Sequence, residues 1–315
     1  MQSFSQRLLW CALAVLIIFL GVAAYAANDP GIAAITSPLD GVCQPGLPRT
    51  APTPKKPPAQ PSPTSLADDF LTCPFSDVQD AAMPYYLAVP KHLSPFGKYP
   101  LVLLLHGGGE RGGSTNTPAQ NRGVLLNQAY VQIWESAAIQ RKWPSFVVVP
   151  QLLNGKSWVN VPPAQGTYHL TFLPTDSLRM AKEIVDGLQR VYPEIDPTRL
   201  YITGISIGGY GVWDAIERWP EYFAAAAPVS GSGDPTRAQK LIHQPIWAFH
   251  GGSDGEPPPS ASRAMIDAIR AAGGHPRYTV IPNAGHDIWL QVYSSPDFLS
   301  WFFAQRSSLW DNPQP

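Results

Sequence analysis

Uninterrupted apolar runs recur along most of the chain, separated by stretches with helical spacing. Leu101 to Leu105, Phe146 to Val149, Leu200 to Thr203 and Ile246 to Phe249 contain almost nothing polar. Short runs of this kind predict strands buried on both faces. Tyr85 to Val89 and Tyr278 to Ile281 read as outer strands. Ala225 to Val229 reads as another, though Pro228 inside it cannot donate to a ladder. Between them, Leu178, Ala181, Ile184, Val185, Leu188 and Val191 recur at three- and four-residue steps and predict one apolar helix face, with Thr175-Asp176 placed to cap it. Ser262 to Ala272, closed by Gly273-Gly274, and Phe298 to Gln305 predict two further helices. Strands alternating with helices predict an α/β domain: a mostly parallel central sheet with helices on both faces and its ligand site beyond the carboxyl ends of the strands.

The pattern breaks at the N-terminus. Arg7 precedes a long apolar run from Leu8 to Ala24, and Ala24-Tyr25-Ala26 has the small-x-small form of a cleavage site. Residues 1–27 are therefore expected to be a signal peptide, and the protein to be exported (periplasmic or secreted). The run is also nearly long enough for an uncleaved membrane anchor, the alternative localisation. Residues 28–65 form a proline-rich linker, densest from Pro45 to Pro63, that cannot bury apolar surface. Residues 66–315 are the expected catalytic domain. Of three cysteines, Cys11 leaves with the signal; in an oxidising compartment Cys43 and Cys73 are then expected to pair, two separate thiols being the alternative. Neither has histidine at metal-ligand spacing, so no metal site is expected. The net charge of −1, with no basic stripe, argues against nucleic acid as a partner.

The chemistry concentrates at the ends of the predicted strands. Gly204-Ile205-Ser206-Ile207-Gly208 is a G-x-S-x-G directly after a strand and before a helix. That context is the nucleophile elbow of the α/β-hydrolase fold, which holds a serine hydroxyl clear of the backbone. A serine that merely caps a helix is the plainer reading, but it leaves the partners below without a role. A hydroxyl needs a base and an orienting carboxylate, and in this fold they follow in the order acid, then histidine. Of seven histidines only His286 lies beyond the last predicted strand. The loop after the preceding strand supplies Asp254, with Glu256 as the near competitor; Asp287 adjoins His286 too closely in sequence to reach its ring. An oxyanion hole needs two N–H donors. Ile207 follows the nucleophile, and His106-Gly107-Gly108-Gly109 ends an earlier strand. Gly108 is the chosen second donor, with Gly107 or Gly109 as alternatives. Glu110, Arg111, Trp158 and Trp289 stand near these loops as candidate substrate-binding residues; packing or a salt bridge would explain each equally well.

Gly109-Glu110-Arg111-Gly112, Gly204 to Trp213, Phe223 to Gly231, Trp247 to Asp254 and Gly285 to Trp289 together resemble secreted α/β-hydrolases. The branch is that of the predicted peptidases, related to polyhydroxybutyrate-depolymerase-like and feruloyl esterases and to dienelactone hydrolases. The resemblance spans Tyr85 to Phe303 and implies Ser206 as nucleophile, His286 as base, Asp254 as orienting acid, Gly108 and Ile207 as oxyanion donors, and Trp289 bordering the site. It implies no cofactor. The expected activity is hydrolysis of small-molecule or polymer carboxylic esters through an acyl-enzyme. A serine peptidase with the same triad and an inactive exported binding module are the alternatives.

Overall fold

Among the described residues, eight strands form one sheet: β1 (Phe70–Ser76), β2 (Ala82–Ala88), β3 (Tyr99–Leu105), β4 (Phe146–Pro150), β5 (Ile195–Ile205), β6 (Ala225–Val229), β7 (Trp247–Gly251) and β8 (Arg277–Ile281). Their order across the sheet is β1-β2-β4-β3-β5-β6-β7-β8. Only β2 runs against its neighbours; every pairing from β4 to β8 is parallel. The computed structural model describes residues 66–77, 82–160 and 168–307. The expected signal peptide, the proline-rich segment and Cys43 lie outside the described residues. Among the described residues, no helix is long and apolar enough to cross a membrane.

The helices are α1 (Pro118–Leu126), α2 (Ala129–Gln132), α3 (Ala137–Lys142), α4 (Asp176–Val191), α5 (Ile207–Arg218), α6 (Pro259–Ala271), α7 (Trp289–Tyr293) and α8 (Pro296–Ala304). Thr175 caps α4 through its side chain, which accepts from Leu178 N, and the expected stripe from Leu178 to Leu188 is the buried face. Val191, the last member of that stripe, is exposed where the helix ends.

Proline falls where the ladders leave room for it. Pro228 sits within β6, between Ala226 and Ser230, whose amides donate to Pro245 and Phe249 on the β7 side. Alternate residues of a strand point the same way, so the missing Pro228 donor faces β7, where the ladder has the single pairing Val229–Phe249. Pro74 lies in the edge strand β1, opposite Pro84.

The core on one side of the sheet is aromatic. Trp134 is fully buried and packs against Tyr293 at 5.1 Å, Phe302 at 6.2 Å and Phe303 at 6.4 Å between ring centroids. Tyr201 of β5 donates its hydroxyl to Gln305 O at 2.9 Å, which ties the end of α8 to the middle of the sheet. Trp134→Ala is expected to cost about 3–5 kcal/mol, read as a lower denaturant midpoint at unchanged m-value. A loss under about 1 kcal/mol would mean that this cluster carries little of the stability.

Candidate active site

Ser206 is the single residue between β5 and α5. Its backbone, at φ 54° and ψ −122°, is a conformation that non-glycine residues avoid. Such strain costs on the order of 1–3 kcal/mol and persists only where the surroundings impose it. Here β6 imposes it, since Ser206 N donates to Val229 O at 3.0 Å. The turn leaves Ile207 N in the first position of α5, where no intrahelical acceptor exists and the helix dipole is positive.

His286 lies in the loop between β8 and α7, and Asp254 in the loop after β7. His286 Nδ1 and Asp254 Oδ2 are 2.8 Å apart. The two loops are joined by their backbones: Gly252 N donates to Ile281 O and Ser253 N to Ala284 O, both at 2.8 Å. A Cβ on Gly251 would stand 1.9 Å from Gly285 O, so only glycine lets the loops close to this distance. The Asp254 carboxylate is almost wholly buried. Its Oδ1 accepts from Glu256 N at 3.1 Å, so Glu256 contributes an amide here while its own side chain is exposed.

The sequence reading assigned no role to His250, yet it is the other group on Asp254. Its Nε2 lies 3.2 Å from Asp254 Oδ2 and 2.9 Å from Pro257 O. Burial lowers its pKa. Its Nδ1 lies 2.7 Å from the Ser262 hydroxyl, which donates its own proton to Gly231 O at 2.6 Å. The available signal was a histidine at the strand end, four residues before the acid.

The glycine loop after β3 is held from behind. Buried His106 accepts from Leu152 N at its Nε2 (2.9 Å), which puts its proton on Nδ1, facing Gly107 O at 2.6 Å. Desolvation pushes its pKa down to about 4, so it stays neutral. Because the peptide is planar and trans, a Gly107 carbonyl turned toward His106 directs the Gly108 N–H the opposite way. Arg111 braces the next peptide, donating from NH1 to Gly108 O at 3.0 Å and from Nε to Lys156 O at 2.6 Å.

These pieces meet at one cleft of about 370 Å³, lined by Gly107 to Glu110, Gln128, Ile205, Ser206, His286, Asp287 and Trp289. The Trp289 ring stands edge-on to His286 at 5.4 Å. Trp158, read from the sequence as a candidate substrate contact, is not in the cleft. It is fully buried beneath the glycine loop, donating from Nε1 to His106 O at 3.0 Å. A large apolar ring with one donor is stabilised best at such a place, where its surface is dry and its N–H is satisfied. Arg111 likewise braces the loop and does not line the cleft.

The sheet order and the turn at the end of β5 are those of the α/β-hydrolase fold. The profile of the prolyl oligopeptidase family matches residues 180–241. A thermostable esterase of known structure is 36% identical, with a TM-score of 0.68, over 76% of this chain and 64% of that one. The feruloyl esterase module of Clostridium thermocellum, solved with sinapinate, is 17% identical with a TM-score of 0.55, over 78% and 94% of the two chains, a likeness of fold. A curated relative, the bifunctional acetylxylan esterase/xylanase XynS20E of Neocallimastix patriciarum, is 28% identical over 179 residues, 56% of this chain and 22% of the relative. The chain thus spans under two thirds of the length of the esterase and about a fifth of the curated relative.

Proposed function

We propose that the protein is an exported serine hydrolase of carboxylic esters. Ser206 Oγ attacks the acyl carbonyl, and His286 takes its proton through Nε2. Asp254 holds the opposite nitrogen and stabilises the imidazolium that forms. The amides of Gly108 and Ile207 receive the oxyanion. His286 returns the proton to the leaving alcohol, and water then releases the acid from the acyl-enzyme by the same path. The observation that carries this reading is the 2.8 Å pairing of His286 with buried Asp254, at the cleft onto which the strained Ser206 turn opens. Export follows from the expected signal at residues 1–27, and a Cys43–Cys73 bridge belongs to the same proposal.

A serine peptidase is the second reading, supported by the prolyl oligopeptidase profile over residues 180–241. The two separate on a panel of 4-nitrophenyl esters and peptide anilides, run beside a fluorophosphonate label. We expect the label on Ser206 and turnover of short esters, with anilides slower by orders of magnitude. Anilides cleaved without ester turnover would assign the peptidase. An unlabelled Ser206 in folded protein, with no turnover, would leave a binding module.

A further inference from the structure

The cleft beside Ser206 has two carboxylate side chains on its walls, Glu110 and Asp287, and neither lysine nor arginine among its lining residues. Glu110 lies on the turn after β3, with its side chain 14% exposed. Its Oε2 is buried without a hydrogen bond, 3.9 Å from His106 Nδ1, whose proton faces Gly107 O. The Tyr130 hydroxyl and the backbone of Gly107 and Glu110 favour the charged form of this carboxylate, and burial opposes it. The nearest guanidinium, that of Arg111, is turned back to Gly108 O and Lys156 O. Asp287 is exposed at the rim, next in sequence to His286.

We propose that Glu110 and Asp287 make the cleft a charge filter, admitting esters whose acyl group is neutral or cationic and rejecting those that carry a carboxylate. This rests on the reading of Ser206 as the nucleophile. An incoming anion would meet two like charges in a cleft with no cation among its described lining residues. At separations of several ångströms, each such repulsion is worth on the order of tenfold in binding. The groups facing Glu110 are Tyr130, His106 and Arg111, with Asp287 across the cleft. Burial, and then repulsion from Asp287, raise the Glu110 pKa. A raised pKa delays ionisation, so rejection of anions weakens as pH falls through the Glu110 titration and is complete above it.

The test uses three 4-nitrophenyl esters of similar acyl length: the methyl-capped succinate, the free hemisuccinate and 4-(trimethylammonio)butyrate. Wild-type protein is expected to favour the capped ester over the hemisuccinate by about tenfold or more in kcat/KM at low ionic strength. The cationic ester should be taken at least as well as the capped one. Added salt should narrow the preference. Glu110→Gln and Asp287→Asn should each narrow it several-fold, while Asp267→Asn, at an exposed position on α6, leaves it in place. Labelling of Ser206 by a neutral fluorophosphonate reports whether each variant keeps its site, and exposed Asp287 provides a variant that spares the interior. Equal rates for the capped and free esters overturn the filter, as does a preference that neither variant moves. Absence of both labelling and turnover in wild type takes down the serine-hydrolase reading, and the filter with it.

Discussion

Replacing Ser206 with alanine is expected to lower kcat on esters by on the order of 10³-fold or more, with the fold unchanged. The residual rate would come from the oxyanion donors and from binding alone. Asp254→Asn should cost about 10⁴-fold, because the carboxylate orients His286 and stabilises the imidazolium that forms. His286 Nδ1 and His250 Nε2 both face Oδ2. An amide offers either an N–H₂ that opposes the His286 donor or a single oxygen without the charge that stabilises the imidazolium. Because the three groups act as a unit, Ser206→Ala combined with His286→Ala should fall within a few-fold of either single variant. Single-turnover kinetics with a 4-nitrophenyl ester measures all four proteins. A Ser206→Ala enzyme that retained a tenth of the wild-type rate would remove the nucleophile from the mechanism.

Gly208→Ala is expected to lower activity by a different route, with a smaller loss of rate and a loss of stability. In an unconstrained helix this change stabilises by about 1 kcal/mol. At this position the new methyl would lie 2.1 Å from Leu105 O and 2.7 Å from His106 O. Both atoms are main chain at the end of β3, in a pairing that sets Leu105 beside Gly204. Neither yields as a flexible side chain would. The overpacking cost of about 1–3 kcal/mol exceeds the helical gain, and the melting temperature should fall. Relief of the clash pushes α5 away from the glycine loop, separating Ile207 N from Gly108 N. A misplacement near 1 Å is worth about 10²-fold in rate. Calorimetry together with kcat/KM separates the two effects. A variant that melts higher and hydrolyses normally would show that β3 and α5 are not in such close contact.

The sheet was legible because its central strands are buried on both faces. Leu101 to Leu105 and Phe146 to Val149 have no polar alternation to mislead. The α4 stripe was equally plain, ending where Val191 turns outward. What escaped had weaker local signals. β1 carries Pro74 in its middle, which disqualifies a central strand but suits an edge. Between β3 and β4, α1, α2 and α3 are short; α1 and α3 take their definition from caps at Thr117 and Ser136 more than from apolar period. At the site, motif order singled out Ser206, Asp254 and His286, and the structure brings all three to one end of the sheet. Neighbourhood in sequence served less well. Trp158 reads as a pocket residue only until the space beneath the glycine loop is seen to need a large ring with a donor. His250 and His106 work through nitrogens turned into the interior, and only the coordinates reveal which atoms they face.

The parallel arrangement also bears on the order in which competence is gained. Leu105 is neighboured by Gly204, on a strand made far later in synthesis, and His286 arrives only with the loop that follows β8. Pairings so remote along the chain form slowly. The segment that carries Ser206 holds neither Asp254 nor His286. On the proposed mechanism, hydrolysis is a late marker on the folding path, absent until the C-terminal quarter of the polypeptide has docked.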